Sequence, residues 1–163
     1  MENLLILGAG QYGMVAKEIA ESMGTFSDIA FLDDNNPIAI GKLNEYAYFI
    51  NEYDSAVIAL GDAKMRLELL TELESCGFEI PFLMHKNAYV SPSAIIGKGS
   101  IIEPMAVIHT DVKIGAGCII SAGTIVNHNA VVSDGCHLNW IIVNKVDRKI
   151  KKAIQIGQEP KGY

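Results

Sequence analysis

Four histidines, His85, His109, His128 and His137, are the groups of this 163-residue chain that exchange protons near neutral pH. Of these, His128 falls on a turn between short apolar pairs, where its ring can face a cleft, so it is the candidate for proton transfer. Its neighbours Asn127 and Asn129 can hold the ring in one tautomer but add no charge. His109 reads as a satisfied turn residue, and His85 as a cap at a domain junction. None of the four sits near a Cys or carboxylate cluster at ligand spacing, so no metal is expected. A second motif is Gly8-Ala9-Gly10-Gln11-Tyr12-Gly13, a GxGxxG. Glycines at Gly8, Gly10 and Gly13 let the backbone turn tightly and approach a phosphate resting on a helix N-terminus. Asp33-Asp34 follows Gly13 by 20 residues, where an acidic side chain can reach a ribose hydroxyl. The plain readings stay open at this point: a tight turn for the glycines, a solvated loop for the aspartates.

The elements that must hold these groups follow from periodicity. Leu4–Leu7 is a continuous apolar run, as in a buried parallel strand. Val15, Ile19 and Met23 recur at steps of four behind the glycines and predict a helix with that face inward. Ile29–Leu32 and Ala56–Leu60 predict two more strands, and 63–76 a second helix that brings Leu67, Leu70 and Leu73 together. The order β-α-β-β-α describes a small Rossmann-like α/β sheet over residues 1–83, with ligands at the carboxyl ends of its strands.

From Met84 the pattern changes to a repeat of six. Met84, Val90, Ile96, Ile102, Ile108, Ile114, Ile120, Val126, Val132 and Leu138 are all aliphatic. Four places after each stand Ala88, Ala94, Ser100, Ala106, Val112, Cys118, Thr124, Ala130, Cys136 and Ile142, small or no larger than valine except the last. Neither a helix nor an alternating strand repeats at six; a left-handed parallel β-helix does, with three hexads closing one triangular coil of 18 residues. The β-helix domain is therefore 84–163, short, and degenerate after about 143. Cys118 and Cys136, 18 apart, should stack inside as small buried residues.

Composition bounds the rest. Half the residues are hydrophobic and 20% are charged, enough apolar surface for a core. No run of 18 apolar residues occurs, and the N-terminus lacks the basic flank of a signal peptide, so no membrane association is expected. Three cysteines do not make a disulfide framework and favour a reducing cytoplasm. A net charge of −6 argues against nucleic acid as a partner. The charge is concentrated in residues 1–84, net −10, while residues 145–163 carry net +4. That basic tail, with Lys145, Arg148, Lys149, Lys151 and Lys152, reads as a solvated edge that blocks end-to-end strand pairing, with CoA phosphates as its other possible contact.

The pieces Leu7-Gly8-Ala9-Gly10 with Gly13, Phe31-Leu32-Asp33-Asp34, Ala59-Leu60-Gly61-Asp62 with Arg66, and Ile125-Val126-Asn127-His128-Asn129 followed by Cys136-His137, resemble the bacterial sialic-acid O-acetyltransferase and UDP-amino-sugar N-acetyltransferase family. The resemblance spans residues 1 to about 142. It implies acetyl-CoA as co-substrate and a nucleotide-sugar, a UDP-amino-sugar, as acceptor. It implies a homotrimer with active sites between adjacent prisms. It places the nucleotide-sugar on Gly8, Gly10, Gly13, Asp33, Asp34, Gly61, Asp62 and Arg66, and the base at His128. Asn127, Asn129 and His137 are then acetyl-CoA or cleft contacts. The family flanks its catalytic histidine with an acidic residue; here both flanks are Asn. The expected activity is acetylation of an amino or hydroxyl group of a sugar in surface-glycan synthesis. The alternative is a truncated, non-catalytic homologue that binds a nucleotide-sugar or acts as a trimeric scaffold. A nicotinamide-dependent reductase fits poorly, because the hexads leave no substrate domain of that type.

Overall fold

A computed structural model describes residues 2–139 and the strand Ile142–Val143. Strand β1 (Glu2–Leu7) lies between β2 (Phe26–Leu32) and β3 (Ser55–Ile58) in a three-stranded parallel sheet of order β2-β1-β3. Leu4 to Leu7 are fully buried because helices or coils cover both faces of the sheet. Helix α1 (Gln11–Met23) joins β1 to β2, and α2 (Ala63–Cys76) follows β3. The strand order reverses at β1, so the loops after β1 and β3 diverge around a crevice at their carboxyl ends.

Two details differ from the sequence reading. Helix α1 buries Gly13, Ala16, Ile19 and Ala20, while Val15 and Met23 pack only partly. Small residues bring the helix axis close to the sheet, and a reading weighted to large aliphatics misses them. A 3-10 helix, Leu43–Phe49, also lies between β2 and β3 in a stretch without apolar periodicity.

The second half is a prism of two-residue strands. One side holds β4 (Leu83–Met84), β7 (Ile101–Ile102), β10 (Ile119–Ile120) and β13 (His137–Leu138). The next holds β5 (Tyr89–Val90), β8 (Val107–Ile108), β11 (Ile125–Val126) and β14 (Ile142–Val143). The third holds β6 (Ile95–Ile96), β9 (Lys113–Ile114) and β12 (Val131–Val132). All pairings are parallel, and each residue meets the one 18 places on, as in Leu83↔Ile101 and Ile119↔His137. The exception is β11 with β14, where Ile125 meets Ile142 and Val126 meets Val143. That coil closes one residue short, so Ile142 takes the first place of its strand rather than the corner place its phase in the repeat predicts.

Inside the prism the aliphatic series from Ile102 to Leu138 is buried, with Ala106, Val112, Cys118, Ala130 and Cys136 between. Burial pushes the Cys118 thiol up to about 12 and raises that of Cys136, so neither is a ready nucleophile near pH 7. The basic tail and the hexad phase beyond Val143 lie outside the described residues.

The halves meet along the first side. Its outward residues Leu83, Ile101 and Ile119 are buried. Helix α2 lies across three stacked corners, Gly99, Gly117 and Gly135, all at positive φ. A Cβ there would come within 2.8 Å of Leu70 at Gly99 and about 3.0 Å of Leu67 at Gly135. Equivalent corners away from α2 hold Met105, Asp111 and Asn129 in the same left-handed conformation. At the α2 corners a Cβ would press on the side-chain ends of Leu67 and Leu70, so glycine both suits the φ and lets the helix approach closely.

Candidate functional site

The three glycines of the first loop have separate duties. Gly8, at φ 106°, has no room for a Cβ beside Ala59 and Leu60. Gly13 packs its Cα face against the carbonyl of Gly8, closing the helix onto the loop. Gly10 is the N-cap of α1, with extended backbone, no side-chain cap, and nothing within 4 Å of where a Cβ would point. The N-terminus of α1 thus has no side-chain cap and a glycine that leaves open space beside it, the arrangement that can receive an anionic oxygen.

Asp33 is engaged by the chain itself. One carboxylate oxygen accepts from the Ala9 N–H at 2.8 Å; the other accepts from Asn35 and Asn36 N–H, each at 2.9 Å. The Ala9 bond, followed by that from Asn35, holds this carboxyl below the usual aspartate range. Asn36 donates from its side chain to the Ala9 carbonyl at 2.5 Å, so both amide groups of Ala9 are clamped to the β2 loop. Asp34 accepts from Leu43 N–H through one oxygen. Asp62 caps α2 by accepting from Met65 N–H at 2.7 Å. These carboxylates brace the loops after β2 and β3, a role that sequence spacing alone does not distinguish from contact with a ligand.

Arg66 sits on the first full turn of α2 and is 1% exposed. Its Nε donates to the Gly117 carbonyl at 2.7 Å and Nη2 to the Gly135 carbonyl at 2.8 Å. Nη1 donates to the carbonyls of Leu60 and Gly61. One guanidinium therefore ties the loop after β3 to two successive coils. Burial lowers its pKa. The sequence offered Arg66 as a ligand contact; the geometry spends it on joining the halves.

Between those halves runs a cleft of about 530 Å³, walled by Tyr12, Gly61, Asp62, Lys64 and Arg66 on one side and by Ile119, Gly135 and His137 on the other. His137 Nε2 lies 3.0 Å from Ser121 Oγ, whose single hydrogen goes to Asn139 Oδ1 at 2.7 Å. The serine oxygen then accepts from Nε2–H, which leaves Nδ1 with its lone pair. Burial, then the charge of Arg66, holds the His137 pKa down, favouring the neutral ring. Tyr12 was not singled out from the sequence as a functional residue; an aromatic in the first turn of a helix carries no motif.

His128 stands elsewhere. It is exposed at the corner between β11 and β12, with Asn127 before it and Asn129, at φ 60°, after it. The Asn129 side-chain N–H donates to His128 Nδ1 at 3.0 Å. In that arrangement the neutral ring carries its proton on Nε2. Base action at Nε2 needs the Asn129 amide turned so that its oxygen receives Nδ1–H. Within one chain, His128 does not line the cleft that holds Tyr12 and His137. Among the described residues no three His, Cys, Asp or Glu side chains group as metal ligands, and no helix is long and apolar enough to cross a membrane.

Known proteins match both halves. The PglD N-terminal domain family matches residues 3–73, and the bacterial transferase hexapeptide (six repeats) family matches 93–128. The acetyltransferase domain of PglB from Neisseria gonorrhoeae FA1090 is 30% identical, with a TM-score of 0.78 over 84% of this chain and 70% of that one. The same domain solved with acetyl coenzyme A gives 31% identity and a TM-score of 0.74 over 83% of this chain and 69% of that one. PerB from Caulobacter crescentus, in complex with CoA and GDP-perosamine, is 26% identical, with a TM-score of 0.75 over 84% and 68%. A GDP-perosamine N-acetyltransferase of Escherichia coli O157:H7 is 26% identical over 144 residues, and the chain spans 63% of its length. The prism has the left-handed β-helix fold of these acetyltransferases.

Proposed function

We propose, from the premise that this chain belongs to the PglD-like family of hexapeptide-repeat sugar acetyltransferases, that it moves the acetyl group of acetyl-CoA onto the amino group of a nucleotide-linked sugar. The observation that carries the reading is the uncapped N-terminus of α1 at Gly10, at the carboxyl ends of a sheet whose neighbouring cleft has the hexapeptide prism as its other wall. The relatives supply the substrate class: one is solved in complex with acetyl coenzyme A, another with CoA and GDP-perosamine.

The α1 amides receive the nucleotide phosphates, with Gly8 and Gly13 holding the loop open and Asp33 fixing its far side. Asp34, Gly61 and Asp62 rim the sugar-nucleotide path, and Arg66 keeps the prism in register with it. The sugar amine attacks the thioester carbonyl, His128 Nε2 takes the proton lost from nitrogen, a C–N bond forms, and the C–S bond breaks to release CoA. The Asn129 amide presents its oxygen to Nδ1–H while this happens. Because His128 lies on a different corner from the cleft of its own chain, the site forms between protomers of a homotrimer, with His137 and Asn127 as contacts of the acetyl-CoA side. The reaction belongs to cytoplasmic synthesis of surface glycans.

One observation favours a second reading, a nucleotide-sugar-binding homologue without turnover: Asn129 donates to His128 Nδ1 and so leaves the proton on Nε2. A thiol-release assay separates the two. Acetyl-CoA is incubated with GDP-perosamine or a panel of UDP-amino-sugars, and the sugar product is weighed by mass spectrometry. Free CoA with a sugar that gains one acetyl group supports the enzyme; binding of the sugar by calorimetry with no CoA released supports the second reading.

A further inference from the structure

The prism wall of the cleft presents Ile119, Gly135 and His137 to a ligand. Ile119 and His137 stand side by side, at the first places of β10 and β13. Ile119 is apolar, and the Gly135 carbonyl already accepts from Arg66 Nη2. The polar side chain that this wall offers is the His137 ring, and the nitrogen that carries its hydrogen decides what it can bind.

Two residues outside the lining make that choice. Ser121 and Asn139 occupy equivalent places of successive coils, directly after β10 and β13. The buried Ser121 hydroxyl stands 3.0 Å from His137 Nε2 and gives its single hydrogen to Asn139 Oδ1 at 2.7 Å. An oxygen whose hydrogen is spent can only accept, so Nε2 holds the ring proton and Nδ1 the lone pair. The ring nitrogen left for a ligand is therefore an acceptor. The Arg66 charge already acts against a positive group at this ring, which makes a sugar ammonium a poor partner and a neutral donor a good one. Ile119 narrows the choice further. A hydroxyl-rich ring laid against isoleucine leaves oxygens without partners, whereas a secondary amide between methylene groups suits one acceptor beside an apolar surface. The pantetheine arm of acetyl-CoA carries such amides.

We infer that Ser121 and Asn139 are positioning residues that hold the His137 ring with its proton on Nε2, so that Nδ1 accepts from an amide N–H of the pantetheine arm. This rests on the acetyltransferase reading above and goes beyond it by naming the atoms that meet and the residues that prepare them. One neutral hydrogen bond of this kind corresponds to about a three- to tenfold change in affinity.

The test combines nitrogen-15 spectra of the histidine rings with calorimetry and thermal melting, on the full chain and on Ser121→Ala and Asn139→Leu. The ligands are acetyl-CoA, and separately GDP-perosamine and UDP-linked amino-sugars. The ligand-free wild type is expected to show His137 protonated on Nε2, with its Nδ1 resonance moving when acetyl-CoA is added. Ser121→Ala removes the acceptor of Nε2–H, so a mixture of tautomers is expected. Asn139→Leu frees the serine hydrogen to turn toward Nε2, so the Nδ1–H form is expected to appear. Both variants should bind acetyl-CoA about three- to tenfold more weakly, with nucleotide-sugar affinity unchanged. A ligand-free wild type protonated on Nδ1 overturns the inference while leaving the proposed function in place. So does acetyl-CoA affinity equal to wild type in both variants, or a loss confined to the nucleotide-sugar. A lower melting temperature with the wild-type tautomer retained in both variants also overturns it, by marking the pair as structural. Absence of any acetyl-CoA binding by the wild type overturns the proposed function, and the inference with it.

Discussion

Gly13 rests on the carbonyl oxygen of Gly8, so that the first turn of α1 and the end of β1 touch backbone to backbone. Three residues away, a Cβ added at Gly10 would meet nothing within 4 Å. The spacing of a GxGxxG thus hides two kinds of glycine, two that the fold needs and one that leaves room for a ligand.

Substitution should separate them. Gly13→Ala forces backbone apart and is expected to destabilise by about 1–3 kcal/mol, as overpacking does. Gly10→Val adds its side chain to empty space, so the melting temperature should stay near wild type while nucleotide-sugar binding is lost. Urea denaturation and calorimetry of the two variants check this; unchanged nucleotide-sugar binding by Gly10→Val removes the α1 N-terminus from the site.

Arg66 is predicted to be a structural joint. Arg66→Met keeps much of the stem volume but leaves the carbonyls of Leu60, Gly61, Gly117 and Gly135 without this donor in a buried place. The cost should be on the order of 3 kcal/mol or more, since hydrogen bonds to charged groups are worth about 1.5–3 kcal/mol each. Limited proteolysis should show cutting between the halves before either is degraded. A variant as stable and as resistant as wild type contradicts the assignment.

Asp33 makes stability depend on acid in a defined direction. Its folded pKa is depressed by amide hydrogen bonds, so its contribution is complete above the unfolded value of about 3.9 and is lost as pH falls through the lower folded value. Urea midpoints of wild type and Asp33→Asn, followed from pH 6 to pH 2, should differ most at the upper end and converge at the lower. A gap that is constant with pH would show that the charge of Asp33 contributes nothing.

The fold was legible where side-chain size repeats. Ile102, Ile108 and Ile114 at steps of six reveal the prism because every coil must bury one large residue per side, and Cys118 and Cys136 fall beneath them for the same reason. The short coil between β11 and β14 was not legible, because dropping one residue leaves Ile142 and Val143 aliphatic in either register. The candidate site was legible in part. Gly10 and Asp33 carry a spacing, but that spacing cannot tell a carboxylate that reads a ligand from one that clamps Ala9. Tyr12 and His137 are 125 residues apart and line one cleft only because the prism packs against the α/β half, so no local pattern could pair them.

The flanking residue at His128 gives a directional prediction. Asn129→Asp would replace a donor to Nδ1 by a carboxylate that accepts Nδ1–H, placing the lone pair on Nε2 and raising the basicity of the ring. Turnover should rise relative to wild type with little change in KM for the sugar. A slower variant would contradict the role given to Nε2.

In the proposed reaction, His128 accepts the proton from the attacking amine. General-base assistance contributes about 10² to 10⁴ in rate, and little of it appears in ground-state binding. The direct measurement is kcat and KM for acetyl transfer from acetyl-CoA to the preferred nucleotide-amino-sugar, for wild type and His128→Ala. A fall in kcat of about 10² to 10⁴ with sugar affinity within about threefold is the predicted result; equal kcat in the two proteins would contradict it.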